Sequence, residues 1–248
     1  MELEFHRVYK MADHIAEVVD DDTYGFNEID WECLEVSGCL TRFTKTSILG
    51  HFCFAMIRLH DLWLARKSPE SLDVKDLEEG LQNYHIPFLT FADFIRQEFP
   101  EEQDCDSELD HMHDWMRAQE DNFSLLWEKM TDEVVHLLFG NRNFLLNFNL
   151  ALAEFRKERG DSPSPRRPVP QWAKRAVYFR ENGKCALCKK DLSGLIALDS
   201  KQHYDHIVPL KSLGVNDPCN IQLLCEKCNL RKAAAAARTS SVYDPWWK

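Results

Sequence analysis

Cys185-Ala186-Leu187-Cys188 is followed 36 residues later by Cys225-Glu226-Lys227-Cys228. Tyr204-Asp205-His206-Ile207-Val208-Pro209 lies between the two pairs, and Asn229-Leu230-Arg231-Lys232 comes directly after them. Two Cys-x-x-Cys pairs supply four soft thiolates, which is the donor set of a closed tetrahedral zinc site. With four thiolates no coordination position is left open, so this ion is expected to hold the fold and take no part in chemistry. A module of this size has too little core to stand without such a staple. The Asp-His pair and the residues Asn220 and Asn229 offer harder donors and a group that titrates near neutrality.

Working outward, Pro170 is placed to open a helix through Trp172, Val177 and Phe179 that stops near Asn182-Gly183. Leu195 to Asp199 and Gln202 to Val208 have strand character and are separated by Ser200-Lys201, which predicts a hairpin. A loop with Gly214 and Asp217-Pro218 follows, then helix formers from Glu226 through Ala237. The expected order is helix, knuckle, two strands, loop, knuckle, helix.

Residues 171–235 resemble the HNH endonuclease family, whose unit is a ββα-metal finger often stapled by two such knuckles. The resemblance rests on Arg175, Arg180, Gly183, the four cysteines, Asp205-His206-Ile207-Val208-Pro209, Asn220, Leu224, Asn229 and Lys232. It implies a metal-dependent phosphodiester hydrolase. Asp205 would be a metal ligand, His206 the general base on the attacking water, and Asn220 the Asn that holds the loop and orients the base. Asn229 stands at the last ligand position, where many members carry His. Two oxygen ligands completed by water favour Mg²⁺ or Mn²⁺ over a second zinc. Lys232, three residues after Asn229 on the expected helix, shares its face and is placed to steady a phosphate. His203 is expected as a neighbour of the site and not a ligand. Adjacent Asp205 and His206 should point to opposite sides of an ideal strand, so the strand end must twist for the two to cooperate.

Charge separates this module from the rest of the chain. Residues 1–160 carry 15 Lys and Arg against 33 Asp and Glu, and residues 161–248 carry 15 against 8, within a net charge of −11. The basic half, including Arg166, Arg167, Arg175 and Arg180, suits nucleic acid, with DNA the expected substrate and little base specificity. Gly160 to Pro170 holds four prolines and is expected to be an extended connector. The expected domains are therefore an acidic all-helical domain at 1–160, a Pro-rich linker at 161–170, and the nuclease-type domain at 171–248.

Upstream the signals are helical and the fold class is mainly α. Apolar spacing predicts a helix over Phe5 to Val19, and Thr46 to Lys67 is apolar around most of its circumference, as suits a central helix. Asp73 and Thr90 are candidate caps of short helices ending at Asn83 and Phe99, and Ser107 to Phe139 fits one helix or two joined near Asp121-Asn122. Gly140 and Gly160 are expected C-terminal stops, giving about six helices. His111 and His113 are two apart and make a poor chelate on a helix. His60-Asp61 reads as a satisfied buried pair, and Glu101 to Asp106 as a solubilising run. Pro245-Trp246-Trp247 is expected to dock on its own chain.

The N-terminus lacks the pattern of a secretory signal, and His51, Arg58, His60 and Asp61 interrupt the longest apolar region, so no membrane span is expected. Nine cysteines then indicate a reducing, cytoplasmic setting. The acidic domain is expected to bind a protein partner, form a homodimer or restrain the nuclease, an arrangement that suits mobile-element or antiviral defence by analogy. Two alternatives stay open, a zinc-stapled module that binds nucleic acid without cutting it and a nuclease that cleaves RNA.

Overall fold

The computed structural model describes residues 4, 6–20, 40, 42–100, 111–194, 201–232 and 237–243. Among them are nine α-helices: α1 (Val8–Asp20), α2 (Ile48–Lys67), α3 (Val74–Asn83), α4 (Phe91–Glu98), α5 (Met112–Ala118), α6 (Glu120–Gly140), α7 (Arg142–Glu158), α8 (Gln171–Arg180) and α9 (Glu226–Lys232). Two strands, β1 (Gln202–His206) and β2 (Ile221–Cys225), form the sheet. The chain is mainly helical, with its small sheet in the C-terminal module.

Residues group into two compact units, one of 1–13 with 52–135 and the other of 14–51 with 136–248. Neither unit is one continuous segment, and the division does not follow the Pro-rich stretch. Residues 161–170 lie wholly in the second unit, together with α7 before them.

The helix ends of the first unit follow local chemistry. The Asp73 carboxylate accepts from the Lys75 amide at 2.9 Å, and the Thr90 hydroxyl from the Asp93 amide at 3.1 Å, so both expected caps are made. The expected Ser107–Phe139 helix is two helices with the break at Gln119, one residue pair before Asp121-Asn122. Its residues 107–110 lie outside the described ones. The core is aromatic: Trp115 stands edge-on to both Phe91 and Phe123.

Helix α2 passes the length and composition test for crossing a membrane, at a mean hydropathy of 1.2. It also carries Asp61, which is fully buried. Arg7 grips this carboxylate at 2.8 and 3.2 Å, Trp127 Nε1 donates to it at 3.0 Å, and His60 lies at 3.3 Å. Burial pushes the Asp61 carboxyl up, but the Arg7 and His60 charges outweigh it and hold the group below its ordinary value. The pair is satisfied, as its setting in an apolar helix suggested.

In the second unit, Asn141 caps α7 through the Asn143 and Phe144 amides. Gly160, at φ 73°, then ends α7 with the Asp161 amide turned back to the Arg156 carbonyl at 2.9 Å. Arg142 on α7 and Arg180 on α8 both reach Glu181, at 2.8 and 2.7 Å, and all three side chains are almost entirely buried. This Arg-Glu-Arg cluster ties α7 to the end of α8, directly ahead of the first knuckle. A longer connection joins residues far apart in sequence: the buried Asp217 carboxylate accepts from the Ile48 amide at 2.9 Å, closing the first turn of α2.

The partner of β1 among the described residues is a strand the sequence did not predict. β1 runs antiparallel to β2, with Asp205 opposite Gln222 and His206 opposite Ile221. Residues 195–199, the expected partner, lie outside the described ones. The sequence of β2, Ile-Gln-Leu-Leu-Cys, does not alternate because every residue in it is buried, so it lacks the half-exposed pattern that marked β1. The last helix is described through Lys232; residues 233–236 lie outside the described ones, and residues 237–240 are not helical, so the helix does not reach Ala237. Residues 101–106 and 245–247 lie outside the described ones too.

Candidate metal centre and nuclease site

The first knuckle forms where α8 ends. Asn182 and Gly183 turn the chain with φ of 52° and 67°. Any side chain at 183 would come within 2.8 Å of the Tyr178 hydroxyl. A hairpin-like turn then brings the Cys185 amide to the Lys190 carbonyl at 2.9 Å. The second knuckle starts on the last residue of β2 and ends in α9, so sheet and helix together aim its thiols. The Sγ atoms of Cys185, Cys188, Cys225 and Cys228 all lie within 4.8 Å of one another, and Cys188 Sγ is 3.6 Å from Cys225 Sγ. Zn–S bonds of about 2.3 Å in a tetrahedron set sulfurs about 3.8 Å apart, so the four fit one zinc ion. Burial pushes the Cys228 thiol up to about 12, helped by the neighbouring Cys188 and Cys225 sulfurs. Burial acts likewise on Cys185, but hydrogen bonds from the backbone at Cys188, Cys225 and Leu187 outweigh it and bring that thiol down. Such crowding of thiols suits a cation at their centre.

The loop between the strands is held by Asn220. Its side-chain oxygen accepts from the Val208 amide at 2.8 Å, and its amide donates to the Val208 and Val215 carbonyls at 3.0 Å each. Gly214 lies so close that a Cβ there would run into the Val208 carbonyl and stand 2.9 Å from the Asn220 amide. All three of these Asn220 side-chain bonds go to the backbone of the loop, and none goes to the His206 ring. Asn220→Ala is expected to lower unfolding stability by about 2–5 kcal/mol through the buried groups it would orphan, read as a shift of the urea midpoint.

The residue that touches the His206 ring is Asn216, which the sequence did not single out. Its Oδ1 lies 3.4 Å from His206 Nε2, while its Nδ2 donates to the Pro165 carbonyl at 2.8 Å. That second bond fixes which end of the amide faces the ring. A proton on Nε2 would meet that oxygen and would leave the lone pair on Nδ1. Asn216 follows Gly214-Val215 in a loop, and its type is what any turn would hold.

Asp205 and His206 both line one cleft of about 380 Å³, with Pro209, Leu210, Lys211, Lys232 and part of the Pro-rich segment. Both side chains reach this cleft although they are adjacent on β1, of which His206 is the last residue. Burial lowers the His206 pKa from its ordinary value. The Asn216 contact and the Asp205 charge oppose that shift, and Arg166 and Lys232 add to it.

The proposed phosphate-binding residues fare differently. Lys232, with a side chain only 2% exposed, donates to Asp205 Oδ2 at 2.9 Å and to the His206 carbonyl at 2.6 Å. It braces the Asp-His pair from the cleft lining, with its ammonium on Asp205 where the sequence reading placed it on phosphate. Arg180 is buried against Glu181, the Ile221 carbonyl and the Phe139 ring, so it is structural and not a phosphate contact. Arg175 is exposed on α8. Asn229 Nδ2 stands 3.5 Å from His203 Nδ1 on β1. His111 stacks on Phe99 at 3.7 Å, and among the described residues the four cysteines are the group placed to hold a metal ion.

The fold and site together define a ββα finger with a four-cysteine metal centre and an Asp-His pair on a cleft. A family model described as HNH endonuclease matches residues 185–234, the segment from the first knuckle through the last helix. No curated protein and no solved structure matches the chain.

Proposed function

We propose that the C-terminal module is a metal-dependent nuclease that hydrolyses phosphodiester bonds of DNA. One observation carries this reading: a carboxylate and a neutral imidazole with a defined proton-accepting nitrogen share one cleft with basic residues. His206 Nδ1 would take the proton of the attacking water, while Asn216 holds the ring through Nε2. Asp205 would hold a hard divalent ion through Oδ1, with Lys232 on its other oxygen, and Asn229 on α9 would supply the second donor. The oxygen donors suit Mg²⁺ or Mn²⁺, which when bound would stabilise charge on the phosphate and the leaving oxygen. Lys232 holds one Asp205 oxygen and the backbone carbonyl of His206, so the pair is set before substrate arrives.

The test is cleavage of supercoiled plasmid, single-stranded DNA and RNA by purified full chain with Mg²⁺ or Mn²⁺. Conversion to nicked or linear plasmid supports the proposal, and degradation confined to RNA redirects it to the other polymer. The Lys232 ammonium on Asp205 is the observation that favours a second reading, a module that binds nucleic acid without cutting. Metal-independent binding with no cleavage of any polymer is its signature.

The acidic helical segment is proposed as a regulator or partner-binding domain, since its charge repels nucleic acid. An effector of mobile-element or antiviral defence, restrained until a signal arrives, would have this layout.

The His206 shift sets a pH expectation. The base works only when neutral, and a lowered pKa keeps it neutral further into acid, so the acid limb of the kcat/KM profile should lie below 6.5. An ion on Asp205 acts in the same direction. The limb is read from single-turnover rates between about pH 5 and 8, and a limb above 6.5 would contradict the assignment of His206 as base.

A further inference from the structure

We propose that the Pro-rich segment 161–167 is a fixed wall of the catalytic cleft and that Arg166, which it carries, contacts the phosphate being cleaved. This deepens the nuclease proposal and rests on it for the word cleaved, but not for the phosphate contact itself.

Sequence alone makes this stretch a connector, and its bonding shows otherwise. Arg156 on α7, 4% exposed, donates to the Asp161 carboxylate at 3.0 Å, the Ser162 carbonyl at 2.8 Å and the Ser164 hydroxyl at 3.3 Å. The same guanidinium reaches the Leu213 and Gly214 carbonyls at 2.7 and 3.3 Å, so one buried side chain joins the segment to the loop that follows β1. Ser164 is itself buried and donates to the Leu40 carbonyl at 2.7 Å. The Pro165 carbonyl accepts from Asn216, whose other end meets His206. The residue before Arg166 is thus tied by one side chain to the base, and prolines at 163, 165 and 168 limit the backbone further.

Three cations line the cleft, Arg166, Lys211 and Lys232. Lys232 is committed to Asp205. Arg166 is exposed and makes no ion pair among the described residues, and its charge is felt at the His206 ring. A guanidinium presents a planar fork matched to two phosphate oxygens, whereas Lys211 offers a point charge on a flexible stem. Held on an anchored backbone, the fork loses less freedom on binding than a cation on a loose loop. Arg167, the next residue, is also exposed but does not line the cleft, which makes it the natural control.

The experiment uses the full zinc-loaded chain. Binding of a short fluorescent DNA duplex is measured against salt in the His206→Ala background, where cleavage is removed. Adding Arg166→Ala should weaken binding roughly 10-fold and reduce the slope of log K against log salt by about one. Arg166→Lys should restore the slope and only part of the affinity. With His206 intact, Arg166→Ala should lower kcat/KM by roughly 10- to 100-fold with kcat affected, whereas Arg167→Ala should leave kcat unchanged. Zinc content and Tm serve as fold checks on each variant. Unchanged affinity and slope in Arg166→Ala, or equal effects on kcat from Arg166→Ala and Arg167→Ala, overturn the assignment. A wild type that shows the Arg166-dependent slope but cuts nothing upholds the phosphate contact and sinks the nuclease proposal instead.

Discussion

His206→Ala is expected to reduce DNA cleavage by about 10²- to 10⁴-fold, the usual worth of a positioned general base. The imidazole is 8% exposed and lies on the cleft, and its Nε2 is spoken for by Asn216, so no other ring nitrogen nearby can stand in for Nδ1 among the contacts described. Alanine leaves a small void at the strand end and removes the Asn216 contact, but the loop keeps its ties from Asn220 to Val208 and from Lys232 to the carbonyl of residue 206. Zinc content and melting temperature should therefore stay close to wild type while the rate collapses. Asn216→Ala offers a graded companion. It frees the ring without removing it, so kcat should fall less than in His206→Ala and the pH profile should change shape. Equal cleavage by wild type and His206→Ala across Mg²⁺ and Mn²⁺ would remove His206 from the mechanism.

Loss of zinc is expected to have the larger effect on the fold. One ion per chain should be found by elemental analysis, and Cys228→Ala should abolish it. Structural zinc in small fingers contributes an apparent free energy of about 10–16 kcal/mol, as much as the whole stability of an ordinary domain, about 5–15 kcal/mol. The finger should therefore lose protection from protease when chelated. Its core is thin without the metal: Val177, Ala186, Leu192, Ile221, Leu223 and Leu224 pack around the cysteines themselves. The dependence on pH has a fixed sign. Cys188 and Cys228 sit above their ordinary values in the metal-free site, so zinc must displace protons to bind, and its affinity should fall as pH falls. Retained protection after complete zinc removal would show that the thiols are ordinary core residues.

The parts of this structure that could be read from sequence are those whose cause is local. A cap needs one side chain and an amide two or three residues on, so Asp73 and Thr90 announced α3 and α4. The knuckles needed only the spacing of their cysteines, and the Asp205-His206 pair only its neighbours in sequence. What stayed hidden depends on groups brought together by folding. β2 is buried on both faces and gives no alternation. Arg180 and Lys232 looked like surface cations, and only their neighbours Glu181 and Asp205 show them to be internal. Asn216 owes its role to a proline carbonyl 51 residues earlier and a histidine 10 residues earlier. The four prolines of 161–170 correctly excluded helix and sheet, but they carry no sign of Arg156, which turns a connector into a wall.

The bond from Ile48 to Asp217 spans 169 residues, and that from Ser164 to Leu40 spans 124. The unit that holds the cleft is therefore stitched from both ends of the chain. During synthesis the amide at Ile48 must wait for a partner that emerges far later, and the closing of so long a loop tends to be slow. A fragment cut at the prolines would lack Arg156, Leu40 and Ile48 together. It would keep the two cysteine knuckles but lose the groups that fasten the segment 161–167, so a cut there would separate the finger from the anchors of its own cleft.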